Sequence, residues 1–255
     1  MNIIKINMEL KDFNFMSDIH ADFYIKDNYT DIVDYFDRWI DPDHKSNILI
    51  IAGDISHSNK LSASVLKEAA KKWKYVFFVS GNHDFYDTRM LSSQDNNRIM
   101  GLLSMIKSIP NVFYMRPGMI FEFNNRKMAG CNLWYDMQDP NVYNFIRLNM
   151  NDAKYVGVSY IEEESKKDLD FYNEVINDVD VFVSHVPTID EFVGQFPPWN
   201  KAYYRRVNIL DDKVYVYGHM HEGVGRYIKS INSHFLTKPV GYNPSFGYQI
   251  GYFRF

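Results

Sequence analysis

Five short apolar runs, each ending in a polar cluster, constrain this sequence more than anything else in it. They are DFNFMSDIH (12–20), NILIIAGDISH (47–57), YVFFVSGNHD (75–84), VDVFVSH (179–185) and KVYVYGHMH (213–221). Each run is rich in Val, Ile, Phe or Tyr and too short to be assigned to a helix by periodicity, so each reads as a buried strand. Helical stretches lie between the early ones. TDIVDYFDRWI (30–40) puts Ile32, Phe36, Trp39 and Ile40 on one face, and KLSASVLKEAAKKW follows at 60–73. Strand–helix–strand alternation predicts an α/β layered fold.

The middle of the chain differs. Residues 111–136 read as strands joined by turns at Arg116-Pro117-Gly118 and Asn124-Asn125. A polar helix is predicted over about 159–178, with Glu162/Lys166 and Glu163/Lys167 at supporting spacing. The tail from 225 to 255 returns to strand-like segments. Without repeats, low-complexity tracts or a linker, residues 1–255 are expected to form one domain.

Composition narrows the function classes. The formal net charge is −4 and the only compact basic stretch is KKWK at 71–74, so a grip on long nucleic acid is not expected. Cys131 is the single cysteine, which excludes an intrachain disulfide and a thiolate metal cluster. No apolar run approaches the roughly 18 residues that cross a bilayer, and MNIIKINMELKDF has no signal-peptide core. The expectation is a cytoplasmic protein with no membrane partner.

Ligands of α/β sheets gather at the carboxyl ends of strands. Here that edge collects Asp18, His20, Asp54, Asn82, His83, His185, His219 and His221, and it uses five of the chain's eight histidines. Carboxylates, an amide and imidazoles without thiolate suit a first-row divalent ion such as Mn, Fe or Zn. Asp18-x-His20 and His219-x-His221 each turn two side chains to one face of an extended segment. The donors outnumber what one ion needs, which favours two ions roughly 3.5–4 Å apart with a carboxylate such as Asp54 between them.

Taken together, the blocks D-x-H, G-D-x-x-x, G-N-H-D, H and G-H-x-H, in order from residue 18 to 221, resemble the calcineurin-like metallophosphoesterase superfamily. GNHDFY, GCNLW (130–134) and the GY…NPSF segment (241–246) resemble a branch of small predicted phosphohydrolases. The resemblance implies a four-layer α/β/β/α sandwich of two mixed sheets flanked by helices, with metals at strand-end loops. It implies Asp18, His20 and His221 on one ion, Asn82, His185 and His219 on the other, and Asp54 bridging. The ions would be Mn, Fe, Zn or Ni, with Mn favoured. The nucleophile would be a metal-bridging hydroxide, and His83 would protonate the leaving oxygen.

One position departs from the family pattern. The last Asp of G-D-x-x-D, which orients the acid histidine in many relatives, is His57 here. Either Asp84 or another carboxylate substitutes, or His83 is less well poised. Ser58 stands where protein phosphatases of the family carry Arg, which argues against that activity. His57 and Asp84 are expected behind the site, Asp22 and Asp87 in turns or behind it, and His44 and His234 on the surface. GQFPPWNKAYYRR (194–206) reads as a flap or a packed loop. As a flap, it would bring Trp199 or Tyr203 onto a base and Arg205 or Arg206 to a phosphate, with Asn82 and Arg89 as further substrate contacts. The predicted activity is hydrolysis of a small phosphoester, nucleotide-like or a diester. A nuclease and a non-catalytic metal-binding scaffold are the alternatives.

Overall fold

The computed structural model describes residues 1–25, 29–86, 97–189, 199–221, 226–228 and 231–255. The predicted strands form as β2 (Asp12–Met16), β3 (Ile48–Ala52), β4 (Tyr75–Val79), β8 (Val181–Ser184) and β9 (Val214–Val216). The middle region supplies β5 (Val112–Tyr114), β6 (Met119–Phe123) and β7 (Lys127–Cys131). The tail supplies β10 (Arg226–Ile228), β11 (Ser233–Leu236) and β12 (Gly251–Arg254). One strand was not anticipated: β1, Asn2–Ile6, whose alternation of polar and apolar residues is broken by the adjacent Ile3 and Ile4.

Two mixed sheets result. The five-stranded sheet runs β12-β2-β3-β4-β5, parallel except for the antiparallel edge strand β12. The seven-stranded sheet runs β1-β6-β7-β8-β9-β11-β10, with β7, β8 and β9 parallel to one another. Strand periodicity sorts the side chains. Ile48, Ile50 and Ala52 of β3, with Phe77 of β4 beside them, face the other sheet, where they meet Phe121, Val181, Val183 and Val216. Leu49 and Ile51 point the other way, among Ile32, Phe36, Val65 and Leu66 of the helices.

Those helices are α1 (Tyr29–Trp39) and α2 (Asn59–Lys72). Ser58 caps α2 by accepting from the Leu61 N–H, so the residue in the phosphatase arginine position is used as a helix cap. On the outer face of the larger sheet lies α6 (Val158–Val175), which buries Ile161, Ser165, Asp168, Tyr172 and Val175 along one stripe. Its Glu163–Lys167 pair forms at 2.7 Å. The molecule is thus layered helix, sheet, sheet, helix. Three further helices went unread: α3 (Asn97–Ile106), α4 (Pro140–Asn149) and α5 (Asn151–Tyr155). In α4 only Val142 and Ile146 are buried, too short an apolar stripe to stand out, although Asp139 caps it ahead of Pro140. Among the described residues no helix is long and apolar enough to cross a membrane.

Candidate metal centre

The loops after β2, β3 and β4 are laced by backbone bonds. The Asp18 N–H donates to Gly53 O (3.0 Å), His20 N–H to Asp54 O (3.0 Å) and Ala21 N–H to Ile55 O (2.9 Å). The Asp84 carboxylate ties the β3 and β4 loops by accepting from the N–H groups of Gly81 (2.8 Å), Asp54 (2.9 Å) and Ile55 (2.9 Å). Crowding here requires glycine. A Cβ at Gly53 would lie 2.5 Å from His185 Nδ1, and one at Gly81 would run into the Asp54 carboxylate. From the facing sheet come His185, after β8, and His219 and His221, after β9. The His219 N–H donates to Asp18 Oδ1 at 2.9 Å, joining the two sets of loops.

Two groups of donor atoms converge. Asp18, His20, Asp54 and His221 offer atoms that all lie within 4.8 Å of one another. His20 Nε2 stands 3.0 Å from His221 Nε2 and 3.6 Å from Asp54 Oδ2, and His221 Nε2 stands 3.6 Å from Asp18 Oδ1. Asp18 Oδ2 is buried without a hydrogen-bond partner. Paired carboxylates and facing imidazole nitrogens, with Asp18, His20 and Asp54 buried, are costly unless a cation sits among them. Their chemistry fits a divalent first-row ion.

The second group shares Asp54 Oδ2, which is 3.4 Å from His185 Nε2. Asn82 Oδ1 lies 2.9 Å from His185 Nε2 and 3.3 Å from His219 Nδ1. His185 Nδ1 is 2.9 Å from the Ala52 carbonyl, which fixes the tautomer and turns Nε2 inward. Burial pulls the His185 imidazole down, but Asp54 beside it pushes it up to about 9. Burial would raise the Asp54 carboxyl, yet His185 and His83 hold it well below the usual carboxylate range. A positive charge is therefore favoured at this pole, where a divalent cation would displace the proton.

His83 stands beside these groups, its N–H donating to Asp54 Oδ1 at 2.8 Å. Burial draws its imidazole down to about 4. Its Nδ1 lies 2.6 Å from His57 Nε2, and His57 Nδ1 lies 3.1 Å from Asp22 Oδ2. Asp84 does not orient His83, because its oxygens are engaged by the loop N–H groups.

A cavity of about 440 Å³ opens over both groups. Besides Asp54, Asn82, His83, His219 and His221, its walls include Tyr86, Asn151, Asp152, Tyr203, Met220 and Tyr242. Asp152 is buried against the Asn82 amide and the Tyr86 hydroxyl, and burial pushes its carboxyl up to about 6. The Tyr242 ring lies 4.5 Å from that of His20 and 4.4 Å from that of His221. The strap 239–241 brings it there, with the N–H groups of Val240 and Gly241 donating to Ser17 O and Asp18 O.

Of the expected substrate contacts, Asn82 and Tyr203 line the cavity. Arg205 does not. It is 2% exposed and turned inward, its Nη1 donating to Tyr135 O (2.6 Å) and Ser165 Oγ (2.8 Å), which supply its buried guanidinium with acceptors. Arg206 is exposed and is not in the cavity wall. Arg89 lies outside the described residues, as does the Trp199 side chain, although Trp199 opens a short turn to Ala202. Asp22, expected in a turn or behind the site, lies behind it against His57, while Asp152 and Met220 are not among the expected site residues. NMNDAK around Asp152 carries no pattern that separates it from an ordinary helix start.

A family model described as calcineurin-like phosphoesterase matches residues 12–223. No curated protein matches the sequence. Among solved structures, phosphopantetheinyl hydrolase from Mycobacterium tuberculosis matches with a TM-score of 0.65 at 16% identity, covering 90% of this chain and 89% of that one. A second solved structure matches at 0.50 and 14% identity over 90% of each chain. A protein of unknown function from Aquifex aeolicus matches at 0.31 and 13% identity, over 77% of this chain and 88% of its own. At such identities the first two likenesses are ones of fold.

Proposed function

The chain belongs to the calcineurin-like phosphoesterases and is a metal-dependent phosphoric ester hydrolase, and from that premise we propose that it uses two divalent ions to hydrolyse a small phosphodiester or nucleotide. The observation that carries the substrate class is the cavity wall. Among the described residues it contains three tyrosines, three asparagines and two methionines, and no lysine or arginine. A phosphomonoester dianion calls for cations beyond the metal ions, whereas a diester monoanion asks for less. Tyr86, Tyr203 and Tyr242 offer faces for a base or another planar group, and Asn149 and Asn151 offer amide edges. The solved relative from Mycobacterium tuberculosis takes its name from a phosphopantetheinyl group, so that group belongs in a substrate panel.

In this reading Asp18, His20 and His221 hold one ion, Asn82, His185 and His219 hold the other, and Asp54 lies between them. Bound there, the ions supply Lewis-acid activation of a water and neutralise the phosphoryl oxygens. Asp54 keeps His83 at the site by accepting its N–H. Asp152 steadies Asn82 from behind. His83 delivers a proton to the departing oxygen as the phosphorus–oxygen bond breaks.

The test uses metal-stripped protein reloaded with Mn²⁺ and offered bis(4-nitrophenyl) phosphate, 4-nitrophenyl phosphate, nucleoside cyclic phosphates and a phosphopantetheinyl ester. Two ions bound per chain and Mn²⁺-dependent turnover with the diesters faster are expected. Faster monoester turnover overturns the substrate class. Failure to bind metal, with no turnover of any ester, overturns the enzyme reading in favour of a scaffold.

A further inference from the structure

We propose that Asp22 and His57 are positioning residues that set the tautomer and orientation of His83. The inference rests on the phosphoesterase reading above and goes beyond it by naming what aims the proton donor. Asp22 grips His57 twice: Oδ1 accepts the His57 backbone N–H at 3.0 Å, and Oδ2 lies 3.1 Å from His57 Nδ1. A carboxylate only accepts, so His57 Nδ1 carries a proton and the neutral ring presents a bare Nε2. That Nε2 lies 2.6 Å from His83 Nδ1, so the His83 Nδ1–H donates to it. His83 Nε2 is then the nitrogen left for the cavity.

In the donating state one proton lies between the two rings and His83 Nε2 carries another. As a hydroxide oxygen bonds to phosphorus and the ester bond breaks, the electron pair of that bond leaves with the departing oxygen, which takes the His83 Nε2 proton. His83 Nδ1–H is then donated to His57 Nε2 and His57 Nδ1–H to Asp22.

The surroundings hold this arrangement in place. The His57 ring lies nearly parallel to that of His83, with centroids 4.7 Å apart and planes 12° apart. It also stacks with Tyr86 at 5.3 Å, and the Phe23 ring meets it edge-on at 5.9 Å. Arg98 donates to the His57 carbonyl and, at 3.3 Å, to that of Asp84. Neither Asp22 nor His57 supplies a donor atom to the cluster of Asp18, His20, Asp54 and His221.

Two measurements test the inference on the full chain. The first compares Mn²⁺-loaded wild type, Asp22→Asn, His57→Ala and His57→Gln on bis(4-nitrophenyl) phosphate and diphenyl phosphate. The nitrophenolate leaves readily without an acid; the phenolate needs one. Asp22→Asn and His57→Ala are expected to slow diphenyl phosphate by roughly 10–100-fold, the usual effect of residues behind a site. The activated ester is expected to lose no more than about threefold, since proton donation matters least there. His57→Gln, whose amide can donate to Asp22 and accept from His83, should recover most of the phenyl ester rate.

The second measurement reads the ring nitrogens of His83 by ¹⁵N NMR in metal-free protein. Wild type is expected to show the Nδ1–H form, and Asp22→Asn and His57→Ala a shift towards Nε2–H. Equal slowing of both esters, or unchanged His83 nitrogens, overturns the proposal. If the wild type binds no metal and turns over no ester, the phosphoesterase reading has failed, and the ring nitrogens still decide what orients His83. Should His57→Ala fail to fold, Asp22→Asn and His57→Gln carry the same comparison.

Discussion

The space between the two sheets and the edge they share are built on opposite rules. Between the sheets, Phe13, Ile50, Phe77, Phe121 and Val183 pack at regular strand geometry with nothing polar to satisfy. At the edge, Asp18, His20, Asp54 and His219 all adopt positive φ, at 49°, 44°, 55° and 69°. Non-glycine residues in that region cost about 1 kcal/mol or more each and persist only where their surroundings hold them. The edge also buries carboxylates against one another. The comparison shows a division of labour in which an apolar slab holds a strained and charged rim in place.

Opposite substitutions should separate the two regions. Asp54→Asn removes the carboxylate shared by both donor groups while keeping the fold. It should lower kcat/KM about a thousandfold, the several kcal/mol a metal ion contributes at a tenfold per 1.4 kcal/mol. Far-ultraviolet circular dichroism should be unchanged. A collapse of the fold would mean that the rim, too, is structural.

Phe77→Ala should do the reverse. Its ring lies 5.2 Å from that of Phe113 and 5.0 Å from that of Phe121. Removal should cost roughly 3–5 kcal/mol in denaturant unfolding. The protein that remains folded should keep its activity per bound metal.

Asp168 asks whether burying a carboxylate is costly away from the rim. It sits on α6, accepting from the Leu133 and Trp134 N–H groups, and burial pushes its carboxyl up from 3.8 to about 7. A folded pKa above the unfolded one means the contribution is complete below about pH 4 and is lost as pH rises through about 7. Stability should fall over that window by on the order of 3–4 kcal/mol. Asp168→Asn should flatten the decline, measured by urea unfolding at several pH values. An unchanged slope would show that the two N–H donors already compensate the charge.

The smallest effect expected is on thermal stability. At 100 times the dissociation constant, Mn²⁺ should stabilise by about 2.7 kcal/mol. Asp18→Asn should abolish that increment by calorimetry and leave the metal-free Tm unchanged or higher, because its buried carboxylate lacks a partner at Oδ2.

The rim was more legible in the sequence than the slab's supports. Its residues follow strands whose apolar runs are unambiguous, and Asp, Asn, Gly and His in close sequence stand out against them. Residues brought in from the side left no such trace. Asp22 reads equally as a turn residue or one behind the site until His57 is seen against it. Asp152 reads as one of many helix acids until Asn82 is found beside it. Arg205 misled for the converse reason. Its neighbours suggested a basic flap, but a long side chain's direction is decided by which buried acceptors lie within reach, here Tyr135 O and Ser165 Oγ. Helix α4 escaped because only Val142 and Ile146 of it are buried.

The distribution of the rim along the chain has a consequence for synthesis. Asp18, His20, Asp54 and Asn82 leave the ribosome first, while His221 lies 201 residues beyond His20. At 5–20 residues per second, those residues take some 10–40 s to appear. During that interval the first sheet carries half a set of metal donors with no counterpart. A cation captured early would be held by Asp18, His20 and Asp54 alone, so metal retention on stalled nascent chains should rise sharply only once His221 has emerged.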